Sequence, residues 1–390
     1  MEVNKKILIV ANGIIGEDPS PSGGDVRFLM LAKEWDILGY EIHILSSEGC
    51  QKLIDQFGFK AKLHILEWKH EGEVKRSSFI WRAVTSFFWI PKSLNNFDGI
   101  VYSANDSLFD VLPSWRLKLK RKNRVKWCAI VHWIPPFPPW KRKQSSAVNS
   151  LFFYFNVVMS VTLARWCADN ILPVSYSTAK QLLTYYVPPE KIYPVKCGVE
   201  FDKIQNFRSH KFEKKFDAIF MKRIQGVKGA FDLVDIWKKV VKNKPDAILA
   251  IIGDEGEDSN ILRQKVSDAG LKANVVFLGY VYDVEKKFEY LNSSRLFILP
   301  SYEENWAISL GEAMCSQLPC LAYNLPELKE IWGENVGWVE LGNTEEFSDL
   351  ILRYLEDKVL YNKNIAAGKE FTSQLDWSIL AKDELSFMNN

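Results

Sequence analysis

Short apolar runs alternate along this chain with segments whose apolar residues recur at helical spacing. KILIVA (6–11) is followed by DVRFLMLAKEWDIL (25–38) and then YEIHIL (40–45). Further on, AIFM (218–221) is followed by AFDLVDIWKKVV (230–241) and AILAIIG (247–253). Strands alternating with helices of this length predict parallel sheets covered by helices on both faces. The rhythm breaks between Tyr193 and Phe216, where PVKCGVEFDKIQNFRSHKFEKKFDAIF is polar and irregular, so a domain boundary is expected there. The tail LDWSILAKDELSFM reads as an amphipathic helix beyond the last strand. The expected division is 1–197, 198–370 and a closing helix over 371–390 that returns to the first domain. Two doubly wound Rossmann-like domains of this kind are expected to face a cleft lined by loops at the carboxyl ends of their strands.

The bulk composition agrees with a two-domain globular chain. At 390 residues it exceeds what one ordinary core serves, and 47% hydrophobic with 25% charged residues is the balance of a soluble protein. MEVNKKILIVANG reads as a first strand rather than a signal peptide. No apolar run in the sequence reaches the roughly 20 residues needed to span a bilayer. The six cysteines show no CxxC pair and no metal spacing, which predicts free thiols in a reducing, cytoplasmic setting.

Several stretches carry candidate chemistry. After the first strand, Gly13, Gly16 and the pair Gly23-Gly24 precede a helix that is expected to open at Asp25. Glycines before a helix let backbone amides approach an anion, although the spacing is not that of a dinucleotide fingerprint and a flexible loop would look the same. In FDAIFMKRIQGVKGAFDLV a strand is followed by Arg223 and Lys228, five residues apart. Planar Arg and point-charge Lys at a strand's carboxyl end suit a diphosphate, the alternative being two solvated charges. AIIGDEGEDSN ends the next strand, and its Asp254 and Glu255 are read as caps without a catalytic role. SYEENWAISLGEAM places Glu304 and Glu312 eight positions apart just past a buried strand, where a helix N-terminus would also favour acids.

Taken in order and spacing, RIQGVKG, IIGDEGE, LPSYEENWAISLGEAM and the earlier PVSYSTAKQL and PVKCGVEFDKI resemble the group 1 retaining glycosyltransferases (family 4), which have the GT-B fold. The resemblance runs from Lys6 to about Phe387. It implies an acceptor-side domain first and a nucleotide-sugar-binding domain second. It also implies that Glu304 bonds hydroxyls of the donor sugar and that Glu312 takes the ribose hydroxyls of the nucleotide. Amides of Asn305, Trp306, Ala307 and Ile308 would lie along sugar and phosphates, and Arg223 with Lys228 would hold the leaving diphosphate. Gly23 and Gly24 join the donor-binding set. His132, at the end of an apolar strand in WCAIVHWIPPFPPWKRK, is the expected cleft histidine, while His43 and His64 read as packing residues. Asn105 and Asp106 are acceptor-side candidates or, alternatively, helix caps. The chain writes Glu304-Asn305-Trp306-Ala307 where the family usually writes Glu-Gly-Phe-Gly. It also has Gln317 where a glycine is common, and it lacks the usual Gly-Gly near YNLPELKEI. With no Asp-x-Asp in the chain, neither a metal nor any other cofactor is expected.

The formal net charge of +2 conceals an uneven distribution. From Val111 to Ala168 there is no Asp or Glu, while basic residues from Arg116 to Arg165 are interleaved with Trp115, Trp127, Trp133, Trp140 and the run SLFFYFNVVMSVTLA. Residues 75–92, KRSSFIWRAVTSFFWIPK, have the same character. Basic residues mixed with aromatics suit an anionic membrane surface, here the inner face of the cell membrane. Nucleic acid is not expected as a partner, and a buried helix with a solvated charged face is the plain alternative. The function implied is transfer of a sugar from a nucleotide diphosphate sugar to a glycan or lipid-linked hydroxyl acceptor. A sugar-nucleotide 2-epimerase or an inactive nucleotide-sugar or glycan-binding protein would share the fold.

Overall fold

The computed structural model describes residues 5–14, 21–66, 76–141, 146–208, 212–253 and 256–389, except the side chains of 76–79 and 141. Gly16, Asp254 and Glu255 lie outside the described residues, as do Arg142 and Lys143 of the basic stretch. The chain divides into two compact units. The first comprises Met1–Arg142, Ser146–Cys197 and Trp377–Asn390, and the second is built on Gly198–Asp376.

The first unit holds a six-stranded parallel sheet. Its strands are β1 (Lys6–Val10), β2 (Glu41–Ser46), β3 (Lys62–Ile65), β4 (Gly99–Ser103), β5 (Val125–Val131) and β6 (Asn170–Pro173), in the order β3-β2-β1-β4-β5-β6. The second unit repeats this winding with β7 (Phe216–Met221), β8 (Leu249–Ile252), β9 (Val275–Gly279), β10 (Ser294–Leu299), β11 (Cys320–Tyr323) and β12 (Val336–Val339), ordered β12-β11-β10-β7-β8-β9. Ile7 to Val10 and Ala218 to Phe220 have no exposed surface, because helices cover both faces of each sheet. Winding reverses between β1 and β4 in one unit and between β7 and β10 in the other. At such a switch point, successive loops diverge to opposite faces and leave a crevice at the carboxyl ends of the strands.

Local details depart from the sequence expectations. The first helix spans Gly23–Ile37 and is capped by Ser22. The Ser22 hydroxyl accepts from the Asp25 amide while the Asp25 carboxylate accepts from the Ser22 amide, a capping box. The helix therefore opens two residues before Asp25, and the glycine pair forms its first turn instead of preceding it. The stretch from Tyr193 to Phe216 is less irregular than its composition predicts. Tyr193 and Val195 bond along β6, and Phe201–Phe207 is a helix anchored by fully buried Ile204. All six cysteines are free.

Helix Ala147–Cys167 corrects the reading that no segment reaches bilayer length. By length and composition this one does. It packs on helix Leu108–Arg121, which in turn packs on helix Arg76–Phe88. Its polarity is partly inverted. Ser150, Ser160 and Ala164 lie on the buried side with Val157 and Val161, while Val148, Leu151, Phe155 and Met159 are exposed. The Ser150 and Ser160 hydroxyls are buried without a hydrogen-bond partner among the described residues.

The closing helix, Trp377–Asn389, is held to the first unit by a buried network. Arg27 donates to Glu384 and to the Tyr102 hydroxyl, Tyr102 donates to Glu384 Oε1 at 2.8 Å, and the Trp35 indole donates to the Ala381 carbonyl at 3.1 Å. Arg27 and Glu384 are 1% and 2% exposed. Removing one partner strands the other charge, so Arg27→Met should cost about 3–5 kcal/mol in urea unfolding, whereas Arg27→Met with Glu384→Leu should recover most of the loss.

Candidate functional site

In the second unit the loop after β7 is pressed against the loop after β10. Gly229 has φ +70, and a Cβ there would fall 1.7 Å from the Pro300 carbonyl oxygen, so only glycine permits this approach. Tyr302 reinforces it, because its amide donates to the Val227 carbonyl at 3.0 Å and its hydroxyl donates to Asp232 Oδ2 at 2.7 Å. Tyr323 donates to the same oxygen at 2.7 Å.

Between these loops sits Glu304, whose side chain is 6% exposed. Lys222 Nζ lies 3.1 Å from its Oε2, Lys228 Nζ lies 3.1 Å from its Oε1, and the Ser301 hydroxyl donates to Oε1 at 3.1 Å. Lys228 also donates to the Glu303 carbonyl at 2.6 Å. Burial pushes the Glu304 carboxyl up, but Lys222 and Lys228 more than offset it and hold the group at about 2. Burial also pulls the Lys222 ammonium below its ordinary value, against the attraction of Glu304. Arg223 is exposed beside this cluster and makes no hydrogen bond or ion pair among the described residues.

Ala307 precedes helix Ile308–Cys315 with φ 57, a left-handed conformation that costs an L residue about 1–2 kcal/mol. A glycine, which the family usually has here, would adopt this backbone freely. Trp306 is 7% exposed, and its carbonyl accepts from the Trp332 indole at 2.7 Å, so its ring belongs to the core. Asn305 is half-buried. Glu312 lies in the second turn of the helix and pairs with Lys287 at 2.6 Å. Lys222 and Lys287 carry no motif signal. The available clue was that Lys222 adjoins Arg223 at a strand's end, but adjacency in sequence does not tell which side chain turns inward.

In the first unit the structure gathers Gly24, Asn105, Asp106 and His132 at the ends of β4 and β5. The His132 and Trp133 amides donate to Asp106 Oδ2 at 2.9 and 3.2 Å, and His132 Nε2 lies 3.1 Å from the Ala104 carbonyl oxygen. Because a carbonyl only accepts, Nε2 carries the proton and Nδ1 is left as the acceptor. Burial, opposed by Asp106, lowers the His132 pKa and keeps the ring neutral at pH 7. A Cβ on Gly24 would lie 3.0 Å from His132 Nε2 and 3.1 Å from Asn105 Oδ1, whereas Gly23 faces open space. The glycine pair is thus split in its importance. Neither Asn105 nor Asp106 is the N-cap of the following helix, a position held by Ser107. His43 and His64 pair within β2 and β3 at 2.9 Å and belong to packing. Asp110, which no motif signals, is fully buried and accepts from the Asn12 amide at 2.6 Å.

Residues 202–371 match the family model described as Glycosyl transferases group 1. The capsular polysaccharide biosynthesis glycosyltransferase CapM of Staphylococcus aureus is 23% identical over 61% of this chain and 66% of its own length. The UDP-Gal:alpha-D-GlcNAc-diphosphoundecaprenol alpha-1,3-galactosyltransferase of Escherichia coli is 28% identical over 45% of this chain and 48% of its own. The matches thus span about half to two thirds of these relatives. Among solved structures, Anabaena Alr3699/HepE in complex with UDP and glucose superposes with a TM-score of 0.75 at 15% identity, covering 98% of this chain and 99% of that one. The segment 202–371 is thus similar to the group 1 glycosyltransferases, and the chain as a whole has the GT-B fold of its solved neighbours.

Because Glu304 is held below its ordinary value, its contribution to stability is present above the unfolded carboxyl pKa and lost as pH falls through the folded one. The stability gap between the wild type and Glu304→Gln, followed by urea unfolding, should be full above about pH 4.5 and close as pH falls towards about 2.

Proposed function

We propose that this protein is a retaining glycosyltransferase of family 4 that moves a sugar from a nucleoside diphosphate sugar to a hydroxyl of a lipid-linked glycan or surface polysaccharide precursor. The observation that carries this reading is the buried Glu304 between Lys222 and Lys228, with Arg223 beside them. Lys222 offsets the Glu304 carboxylate, while Arg223 and Lys228 present positive charge that complements a diphosphate. Glu312, on the neighbouring helix, takes the ribose hydroxyls. The relatives favour the same chemistry. One solved neighbour holds UDP and glucose, one relative is named for galactose transfer onto a diphosphoundecaprenol carrier, and another for capsular polysaccharide.

In the proposed step the bond from the anomeric carbon to the diphosphate breaks, and the acceptor oxygen bonds to that carbon from the same face. The departing phosphate oxygen takes the acceptor proton. Arg223 and Lys228 stabilise the charge that builds on the leaving group, so no bound metal is invoked. Neutral His132 offers Nδ1 as an acceptor for a substrate hydroxyl, and Asp106 fixes its backbone. Asn105 lines the acceptor side. An idle binding protein would account for the lost glycines, but a left-handed Ala307, strained where glycine would not be, favours a working pocket. A 2-epimerase would convert the donor without any acceptor.

Thermal-shift and calorimetric titration with UDP, GDP, ADP, CMP and dTDP should show binding of one diphosphate, weakened about 10- to 100-fold in Arg223→Ala. Transfer onto a membrane lipid extract should follow with the matching sugar. No binding of any nucleotide would sink the donor-site reading, and epimer formation from the donor alone would replace transfer with isomerisation.

The acceptor class is supported by the surface of the first unit. Ile80, Trp81, Val84 and Phe88 form an exposed stripe at helical spacing, followed by Trp89, and the partly inverted helix Ala147–Cys167 adds Leu151, Phe155 and Met159. Lys118, Lys120 and Arg121 are committed to Asp169, Asn95 and the Phe97 carbonyl, but Lys122 and Arg124 are exposed. Aromatic and aliphatic side chains facing outward on a unit that also carries exposed cations suit an anionic bilayer, so we assign this surface to the inner side of the cell membrane. Vesicles containing phosphatidylglycerol should sediment the protein, and vesicles of phosphatidylcholine alone should do so weakly. The triple variant Trp81→Ser, Phe88→Ser, Trp89→Ser should stay in the supernatant; equal sedimentation of variant and wild type would reject the assignment.

A further inference from the structure

We propose that Lys222 reads the donor sugar together with Glu304, the two side chains taking neighbouring oxygens of the ring. The inference rests on the second unit being the donor site. It follows from counting donors and acceptors. An ionised carboxylate has about four acceptor positions. At Glu304, Oε1 already accepts from Lys228 and from the Ser301 hydroxyl, and Oε2 already accepts from Lys222. One position remains, on Oε2. Glu304 by itself therefore receives one sugar hydroxyl, not the vicinal diol that a free carboxylate would hold.

The missing half of the recognition lies next to it. An ammonium has three donors and no acceptor. Lys228 spends one on Glu304 and another on the Glu303 carbonyl. Lys222 spends one on Glu304 Oε2 and makes no other side-chain hydrogen bond among the described residues, although only 17% of its side chain is exposed. A nearly buried ammonium with unused donors is costly until something accepts from them. A sugar oxygen adjacent to the hydroxyl held by Glu304 does so, because Nζ and Oε2 are 3.1 Å apart, close to the spacing of neighbouring oxygens on a ring. Arg223, exposed and unpaired, is left for the diphosphate. Lys222 thus acts on specificity, and the donor it selects carries oxygens at two adjacent ring positions.

The test uses the full-length protein and the nucleoside diphosphate that binds the wild type. Lys222→Met keeps the side chain's length and leaves Glu304 paired with Lys228, and Lys222→Gln serves if the first variant unfolds. Affinity for the free nucleoside diphosphate should stay within about twofold, while kcat/KM for the diphosphate sugar falls about 100-fold, the cost of one polar partner lost to a substrate hydroxyl. With the wild type, donors deoxygenated one ring position at a time should show two adjacent positions that each cost about 100-fold. Equal weakening of free diphosphate and diphosphate sugar would make Lys222 a phosphate clamp and overturn the proposal. An unchanged kcat/KM, or deoxygenation costs spread evenly around the ring, would overturn it too. A wild type that binds no nucleoside diphosphate would instead bring down the donor-site reading beneath it.

Discussion

Taking a carboxylate out of water costs several kcal/mol unless cations go with it, and each unit of this protein is organised around one such carboxylate. In the second unit it is Glu304, met by ammoniums from the loop after β7 while it stands itself on the loop after β10. In the first it is Glu384, met by Arg27 from the helix after β1 and by Tyr102 from β4. Both arrangements bring together segments far apart in sequence. The difference lies in what is left over. Tyr102 and Arg27 are buried and consumed within their network, which suits a fastening. The cluster at Glu304 keeps unused donors and an unpaired neighbour, Arg223, which suits a ligand.

Backbone proximity makes these clusters possible. Parallel winding places β7 beside β10 and β1 beside β4, so loops that leave those strands emerge next to each other. The closest approach is at Gly229, where the Pro300 carbonyl fills the space of a side chain. Gly24 performs the corresponding service in the first unit by leaving room for the His132 ring and Asn105. Ala307 shows the complementary case. A backbone conformation that glycine would adopt freely is imposed on an alanine by the packing of Trp306 against Trp332 and by the helix that follows.

The helix Ala147–Cys167 obeys a different logic from the rest of the surface. In a helix such as Asp232–Asn243 the large apolar side chains are buried. In Ala147–Cys167 small and hydroxylated residues share the inward face, and large apolar ones look out. Small inward residues let the helix lie close to its neighbours, and the outward ones are poorly served by water. The lipid surface proposed above would reconcile the two demands.

The parallel fold was legible in the sequence because strands buried on both faces must be continuously apolar, and their alternation with helical segments leaves few topologies. The family motifs likewise singled out Glu304, Glu312, Lys228 and Arg223 as candidates by spacing, since the loop after β10 and the helix after it are contiguous in sequence. His132 stood out as a polar residue ending an apolar run. What the sequence did not reveal depends on direction and company. The start of the first helix moved to Gly23 because a reciprocal cap between Ser22 and Asp25 was worth more than the N-cap preference of Asp25. The length of Ala147–Cys167 was hidden because polar residues interrupt its apolar run, although its backbone is one unbroken helix. Above all, the sequence by itself determined which residues could carry charge at the strand ends. Only the tertiary structure decided that Lys222 turns towards Glu304 while Arg223 stays outside, because that choice is made by the loop after β10, some 80 residues further along the chain.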